Sequence, residues 1–285
     1  MTIKTTARPE PASHYDLVTD AWAYLLGDDL HYGYFDASDA PLSVATRALT
    51  KLMIGEAALA PRMSVLDVGC GTGNPALVLA RQQDCFVLGI STSEVCVARA
   101  NTRAADAGLS HRIQFEVRDG TNTSLDDSLF DRVWVMESSH LMARKDLLLK
   151  ECARVLRPGG RLVLCDIILR RAVPFSEILK IQEDVHTLDR VFGRAQMATP
   201  QQYTEWAQAA GFGNVRTLDI SGQTRPTFDR WRANAESNAE AVEKLIGPQG
   251  LADFRRACDV LSRFWLDWLG YGVVVADRTG GENPL

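Results

Sequence analysis

The sequence predicts an α/β protein in which helices surround a mainly parallel sheet. Between residues 63 and 169, short β-rich runs alternate with helical stretches, which is the pattern of strand–helix–strand units. The strand runs are almost continuously apolar, as expected of strands covered on both faces. With 285 residues, the chain is long enough for one large domain or two modest ones.

Five strands are predicted in this stretch, and two more follow it. Helices are expected to begin near Pro75, Ser93 and Asp146, and the turn RPGG at 157–160 precedes the fifth strand. The predicted strands span 63–68, 85–90, 112–117, 131–136, 161–169, 214–220 and 271–276.

Helical periodicity dominates the rest of the chain. Thr199, Pro200 and Gln202 have the pattern of a capping box, and Gly211 is predicted to end the helix that they begin. Three apolar stripes recur at spacings of three and four residues and are interpreted as packing faces. They consist of Tyr15, Val18, Trp22 and Leu25; of Ile178, Ile181, Val185, Leu188 and Phe192; and of Leu251, Phe254, Cys258, Leu261, Trp265 and Trp268.

Composition narrows the class of protein. The net charge of −5 and the pI of about 5.6 argue against the basic face of a nucleic-acid-binding protein. Because there is neither an apolar run of membrane-spanning length nor a signal peptide, we expect a cytoplasmic protein that acts without a membrane. The sequence leaves open whether the protein forms a homo-oligomer. The six cysteines lack metal-site spacing and are expected to be free and mostly buried, so no metal is predicted.

The glycine loop VLDVGCGTGNP, residues 65–75, is the sharpest motif. A strand precedes it, a helix follows it, and glycines stand at 69, 71 and 73, which allows a tight turn and close approach of the backbone to a ligand. A dinucleotide fingerprint would require a third glycine where Asn74 stands. An NAD(P)-dependent oxidoreductase is therefore kept only as a remote alternative.

This loop and several later segments resemble the class I S-adenosylmethionine (SAM) dependent methyltransferases. The likeness is to the small-molecule group that includes rebeccamycin-type sugar O-methyltransferases, tocopherol-type C-methyltransferases and, more remotely, cyclopropane fatty-acid synthases. The matching segments are LHYGYF (30–35), VLDVGCGTGNPALVLA (65–80), VLGISTSEVCVARAN (87–101), RDG (118–120), FDRVWVMESSHLM (130–142), ECARVLRPGGRLVLCDIIL (151–169), DISGQTRP (219–226) and YGVVVADR (271–278).

The resemblance implies a Rossmann-like methyltransferase sheet of seven strands, the last antiparallel, with helical insertions that form a lid. It implies one domain over 1–285, with SAM as cofactor and S-adenosylhomocysteine (SAH) as its product. Within that domain, the segments are expected to be an N-terminal helical cover (1–36), a SAM-binding core (37–170), lid helices (171–214 and 222–266) and a final strand (271–278).

The same resemblance implies a set of cofactor-binding residues. Asp67 faces the SAM ammonium or, alternatively, caps the loop. Ser91 stands where most methyltransferases have an acid for the ribose, and Asp119 accepts from the adenine amino group unless it serves only the turn. The predicted contacts are Tyr32, Gly33, Asp67, Gly69, Gly71, Asn74, Ser91, Thr92, Asp119, Gly120 and Glu137.

Catalytic candidates come from MESSHLM, after the fourth strand. Ligands of open α/β sheets lie at the carboxyl ends of the strands, so Glu137 and His140 are expected near the methyl group. His140 suits a general base at neutral pH, whereas Glu137 needs desolvation to become one. Each has a structural alternative, a loop carboxylate for Glu137 and a packing residue for His140. Candidates for binding the methyl acceptor are Trp22, Tyr24, His186 and Tyr203.

The resemblance therefore predicts methyl transfer to a hydroxyl or amine of a mid-sized secondary metabolite, as in natural product biosynthesis. An alternative is C-methylation of an isoprenoid alkene or electron-rich ring, with or without carbocation-driven cyclisation, for which an aromatic-rich lid is suited. A SAM-binding protein without catalysis is a remote alternative.

Overall fold

A seven-stranded sheet organises the chain in the computed structural model, which describes residues 19–280. The strand order is β3-β2-β1-β4-β5-β7-β6. The strands are β1 (Ser64–Val68), β2 (Phe86–Ser91), β3 (Ile113–Val117), β4 (Phe130–Met136), β5 (Leu156–Leu169), β6 (Phe212–Asp219) and β7 (Leu269–Arg278).

The strand directions are those of the predicted fold class. Strands β1 to β5 pair in parallel, whereas β7 lies between β5 and β6 and is antiparallel to both. The predicted seven-stranded Rossmann-like sheet with an antiparallel last strand is therefore confirmed. The strand order reverses between β1 and β4, which opens a crevice at the carboxyl ends of these strands.

Helices connect and cover the strands, and residues 19–25 are also helical. They are α1 (Leu42–Ala57), α2 (Asn74–Gln83), α3 (Glu94–Asp106), α4 (Lys145–Val155), α5 (Phe175–Lys180), α6 (Gln182–Phe192), α7 (Pro200–Ala209), α8 (Ser221–Thr224), α9 (Thr227–Ser237) and α10 (Ala239–Asp267). Non-helical backbone at Gly247 kinks α10. None of the helices within 19–280 is both long and apolar enough to span a membrane.

Local sequence signals explain where several helices begin and end. The Thr199 hydroxyl accepts the Gln202 N–H at 3.2 Å, and the Gln202 side chain accepts the Thr199 N–H at 2.9 Å. This confirms the predicted capping box before α7. Gly211, with φ of 92°, follows the end of that helix. The Ser93 hydroxyl caps α3 by accepting the Cys96 N–H at 3.0 Å.

The predicted RPGG turn lies inside β5 instead of before it. Leu156 already pairs with Phe130, and the next pair joins Arg161 to Arg132, so residues 157–160 leave the regular ladder between them. Gly159 has a φ of 75° there. The turn is therefore present as an irregularity of the strand, because pairing with β4 starts one residue before it.

The core has two parts, on opposite faces of the sheet. Along β4, Val133 and Val135 belong to one apolar cluster, whereas Trp134 and Met136 belong to the other. This alternation is the two-residue period of a strand buried on both faces. All six cysteines are free and buried, as expected.

The predicted helical stripes are only partly packing faces. Trp22 and Leu25 are buried, as are the five residues from Leu251 to Trp265 in the third stripe, whereas Trp268 is half-buried. In the second stripe, Ile178 and Val185 are 42% and 38% exposed. Ile178 belongs to α5, which is short and buries none of its residues, and Val185 belongs to α6, whose buried residues are Thr187 and Val191. Tyr15 and Val18 lie outside the described residues, and the division into cover, core and lid segments stays a prediction.

Two glycines test the packing of the sheet. A Cβ at Gly89 in β2 would lie 2.3 Å from Cδ1 of Phe115, whereas a Cβ at Gly55 in α1 would meet nothing within 4 Å. We expect Gly89→Ala to lower the free energy of unfolding by about 1–3 kcal/mol through overpacking. Gly55→Ala, the matched control, should raise it by roughly 0.5–1 kcal/mol, since alanine favours helix. Denaturant titration measures both changes, and equal stability of the two variants would contradict this packing.

Candidate active site

A cavity of about 570 Å³ lies at the carboxyl ends of β1, β2, β3 and β4. Its volume suits a ligand of cofactor size. The wall includes segments at the ends of four strands: the glycine loop after β1, residues 91–93 at the end of β2, residues 118–121 after β3 and residues 137–138 after β4. The topology therefore brings the predicted cofactor motifs to one place.

The glycine loop forms the floor of this cavity through positive φ angles. Gly69 has a φ of 81°, and a Cβ there would lie 2.1 Å from Cβ of Ser138, so no larger residue fits. Gly71 has a φ of 51° and nothing within 4 Å of its Cβ position. Gly69 thus permits β1 and β4 to approach each other, and Gly71 leaves open space.

Asp67 is a nearly buried carboxylate on the cavity wall. It is 2% exposed, and its side chain has no hydrogen-bond or ion-pair partner among residues 19–280. Burial raises the pKa of the Asp67 carboxyl to about 7. An unpartnered carboxyl in this position favours a ligand that brings a positive charge or a hydrogen-bond donor.

The other predicted cofactor contacts after β2 and β3 also line the cavity. Ser91 and Thr92 do so, and the Ser91 hydroxyl accepts the Ser93 N–H at 3.2 Å. Oδ1 of Asp119 accepts the N–H and the hydroxyl of Thr121, both at 2.8 Å. Oδ1 of Asp119 therefore stabilises the turn, whereas Oδ2 has no hydrogen-bond partner within the described chain. Gly120 lines the same wall.

The N-terminal segment closes one side of the cavity, with a different assignment of residues than predicted. Asp28, Leu30 and His31 line the cavity, whereas Gly33 does not line it and donates its N–H to the Thr227 hydroxyl at 3.1 Å. The motif LHYGYF predicts contacts from Tyr32 and Gly33, whereas His31 is the residue among these three that lines the cavity. Burial lowers the pKa of His31, whose Nδ1 contacts the Tyr32 carbonyl.

Asn74 connects that segment to the glycine loop. It begins α2, lines the large cavity and donates from Nδ2 to the Asp29 carboxylate. Asp29 also accepts from the Thr46 hydroxyl at 2.8 Å. The predicted cofactor contact Asn74 is therefore also a tie between the N-terminal segment and the core.

A second, smaller cavity of about 130 Å³ adjoins the first, and Leu30 and Glu137 line both. Its wall is mainly apolar and aromatic. Besides Tyr32, its ionisable residues are Glu137, His140 and Asp189. The aromatic residues on this wall are Trp22, Tyr32, Phe192, Trp231 and Phe264. Tyr32 thus faces the small cavity instead of the large one, and its ring stacks on Trp265 at 5.3 Å.

His140 lies on the wall of the small cavity and is paired with a buried acid. Its Nδ1 lies 2.7 Å from Oδ1 of Asp166 in β5, and its backbone N–H donates to Oδ2 at 2.8 Å. Burial alone would raise the pKa of Asp166, but the His140 ring and the hydrogen bonds from His140 and Ser139 outweigh it and lower that pKa. Sequence reasoning missed Asp166. The available signal was a single acid within the apolar strand RLVLCDIIL.

Glu137 joins the N-terminal segment to the end of β4. Its Oε1 accepts the Tyr32 N–H at 2.8 Å and the Tyr271 hydroxyl at 2.6 Å, and its φ is 50°. Desolvation raises the pKa of Glu137 to about 8, against the opposing effect of these hydrogen bonds. The carboxyl is therefore mostly protonated at neutral pH.

The structure brings one of the four predicted acceptor-binding residues to a cavity. Trp22 lines the small cavity. Tyr24 is 46% exposed and His186 is exposed, and neither lines a cavity, because the apolar faces of their helices turn inward. Tyr203 is fully buried behind β5, where its hydroxyl lies 2.7 Å from the Ser139 hydroxyl. Tyr203 thus supports the Asp166 network instead of the cavity wall.

Known proteins share much of this sequence and structure. Residues 65–160 match the family model described as a methyltransferase domain. The 27-O-demethylrifamycin SV methyltransferase of Amycolatopsis mediterranei (strain S699) is 37% identical over 269 residues, which cover 93% of this chain and 95% of that protein. The crystal structure of the [4+2]-cyclase SpnF is 30% identical with a TM-score of 0.82, covering 96% of this chain and 98% of that one. The cyclopropane synthase MmaA2 from Mycobacterium tuberculosis, at 17% identity, a TM-score of 0.85 and coverage of 96% and 100%, shares the fold.

The raised pKa of Glu137 predicts a particular pH dependence of stability. The folded protein keeps this proton up to pH of about 8, whereas the unfolded chain releases it near 4.5. Stability should therefore fall as pH rises from 4.5 to 8, by up to about 1.4 kcal/mol per pH unit from this group. Glu137→Gln keeps an acceptor for Tyr32 and Tyr271 but cannot ionise. Denaturant titrations across this range should show a flatter profile for the variant, and parallel profiles would contradict the assignment.

Proposed function

Because this chain belongs to the family of SAM-dependent methyltransferases, we propose that it methylates a hydroxyl group of a mid-sized secondary metabolite with His140 as the general base. The observation that carries the proposal is the His140–Asp166 pair on the wall of the small cavity, which adjoins the large one. In this proposal the large cavity binds SAM, the small cavity binds the reacting part of the methyl acceptor, and no metal takes part.

The residues of the large cavity suit SAM by their chemistry. The buried, unpartnered Asp67 carboxyl offers an acceptor to the ammonium of the methionyl part, and the open space at Gly71 permits close approach of a ligand. Ser91 and Thr92 offer hydroxyls for the ribose, and Asp119 keeps Oδ2 for the adenine amino group. When bound, SAM supplies an electrophilic methyl group on a positively charged sulfur.

The small cavity, of about 130 Å³, suits an apolar part of the acceptor and not a whole mid-sized metabolite. Rings of Trp22, Tyr32, Phe192, Trp231 and Phe264 line it, and these bury apolar groups with a large gain in free energy. Leu30 and Glu137 belong to both walls, so an acceptor in the small cavity lies next to the large one at these two residues. Positioning of the attacking oxygen there supplies part of the rate enhancement.

His140 has the hydrogen bonding that a general base requires. Asp166 accepts from Nδ1, so Nε2 is left as the acceptor nitrogen of the neutral ring. Nε2 takes the proton of the acceptor hydroxyl as the oxygen reacts, and the Asp166 carboxylate stabilises the imidazolium that forms. The Ser139 hydroxyl and the Ile167 N–H hold Asp166 in place, the latter at 2.8 Å.

Glu137 is assigned a positioning role in this proposal. Below pH of about 8 it is largely protonated, and Oε1 already accepts two hydrogen bonds. It thus holds the N-terminal segment against the end of β4 instead of removing a proton.

The rifamycin relative is named for an O-demethylated substrate, which supports an oxygen atom as the methyl acceptor. C-methylation stays the alternative, because the aromatic wall also suits a carbocation.

Removing the proposed base should slow methyl transfer and leave SAM binding nearly intact. An acceptor is first identified by incubating metabolite extracts of the source cell with methyl-labelled SAM. We then expect His140→Ala to lower kcat by roughly 10²–10⁴, as for lost proton transfer. Asp166→Asn should also lower kcat, through loss of the charge that stabilises the imidazolium. SAM affinity should change no more than a few-fold.

His186→Ala is the matched control, since this exposed histidine lines neither cavity. It should retain full turnover. If His140→Ala keeps near-wild-type kcat while Glu137→Gln abolishes it, Glu137 is the base. If neither substitution slows the transfer step, proximity and orientation carry the catalysis, and the assignment of a base is wrong.

The affinity for positively charged SAM should depend on pH, because two carboxyls on the cavity wall have raised pKa values. A cation favours the ionised forms of Asp67 and Glu137, whose pKa values are about 7 and 8, so affinity for SAM should increase as pH rises from 6 to 8. The gain is at most about tenfold per pH unit for each proton released. SAH lacks the sulfonium charge and should show a weaker dependence. Calorimetry at several pH values measures both.

Two variants separate the contributions. Glu137→Gln should remove the excess pH dependence of SAM over SAH, whereas Asp67→Asn should reduce the dependence for both ligands. Identical pH profiles for SAM and SAH in the unmodified enzyme would show that the sulfonium does not sense Glu137.

A further inference from the structure

One helix that lines the small cavity carries an acid on its apolar face. Val185, Leu188, Asp189 and Phe192 of α6 all line this cavity. Their spacing of three, four and seven residues puts them on one face of the helix. Asp189 therefore interrupts an otherwise apolar stripe at the place where α6 meets the proposed methyl acceptor.

No residue within 19–280 forms a hydrogen bond or ion pair with the side chain of Asp189. Three arginines on or near this helix have other partners. Arg190 pairs with Asp253 at 3.1 Å, and Arg256 and Arg263 pair with Asp184. Asp189 is half-buried and lines the same cavity as several aromatic rings. A carboxylate without a protein partner in that place is stabilised by a ligand that donates a hydrogen bond to it.

The rest of the cavity wall does not supply that partner. His140 is engaged by Asp166, and Glu137 by Tyr32 and Tyr271. Aromatic faces of Phe192 and other rings stand on the same wall. Together, a free carboxylate and aromatic faces complement a hydrogen-bond donor, with a protonated amine as the strongest form.

We infer that Asp189 is a specificity-determining residue, which binds a hydrogen-bond-donating group of the methyl acceptor, either a protonated amine or a hydroxyl. This inference rests on the proposed function, since it takes the small cavity as the acceptor site. In this inference, the group that Asp189 binds is a second polar group of the acceptor, distinct from the one that is methylated. The enzyme thus selects acceptors that carry a second polar group beside an apolar part.

Binding of small probes tests the inference without knowledge of the natural acceptor. The full chain is loaded with SAH, and dissociation constants are measured by ligand-observed NMR for benzylamine, benzyl alcohol, toluene and benzoate. These four probes share a ring and differ in the attached group. In the unmodified enzyme, benzylamine or benzyl alcohol should bind at least several-fold more tightly than toluene, and benzoate should bind most weakly.

Two substitutions of Asp189 assign this preference. Asp189→Leu should weaken the preferred donor probe by roughly tenfold, as for a lost hydrogen bond to a charged group, and should leave toluene unchanged or tighter. Asp189→Asn should retain benzyl alcohol and lose benzylamine. Glu183→Leu is the matched control, because Glu183 is an exposed acid of α6 that lines neither cavity. It should leave every affinity unchanged.

The outcomes distinguish this inference from the proposed function. Failure of the unmodified enzyme to bind SAM or SAH would overturn the proposed function itself. Normal SAH binding with the same order of probe affinities in the unmodified enzyme and in Asp189→Leu would overturn only the role of Asp189. SAH affinity also reports folding, so a misfolded variant is recognised. A preference for amine identifies an ammonium-bearing acceptor, and a preference for alcohol identifies a hydroxyl-bearing one.

Discussion

The buried carboxylate of Asp166 is the constraint on which the proposed catalytic site depends. It is fully buried and accepts from four donors: the ring and backbone nitrogens of His140, the Ser139 hydroxyl and the Ile167 N–H. A buried charge of this kind is tolerated only when its lone pairs are satisfied. These bonds join β5 to the turn after β4, and Tyr203 of α7 extends them through Ser139. The orientation of the His140 ring is thus determined by the packing of the sheet, and not by the cavity that it lines.

The fold was predictable because it depends on patterns of local sequence. Apolar runs with turns between them located all seven strands, and the Thr199 capping box located the start of α7. The glycine loop was predictable for a related reason, since positive φ angles and a close approach of Ser138 leave glycine as the only residue that fits at position 69. Such features restrict which residue types can occupy a position, so they can be recognised in the sequence.

Other parts of the site depend on contacts between residues that are distant in the sequence, and these contacts cannot be recognised from residue type. Asp166 and His140 are 26 residues apart, and nothing in the run RLVLCDIIL indicates which residue an acid there will meet. The same holds for Tyr24, His186 and Tyr203, whose directions depend on how each helix packs. An aromatic or histidine on a helix outside the core looks the same in sequence whether it faces a cavity, solvent or the back of a strand. Only the tertiary arrangement distinguishes these cases.

The position of β7 also determines the order in which the molecule can be assembled during synthesis. This strand is the last of the sheet in chain order, yet it lies between β5 and β6, and β6 pairs with no other strand of residues 19–280. While the ribosome is still making α10, β6 has no edge to join and β5 presents an open one. The parallel half of the sheet can form early, but the antiparallel half must wait for β7 to emerge. Chaperones that shield exposed strand edges would therefore meet this chain between the synthesis of β5 and that of β7.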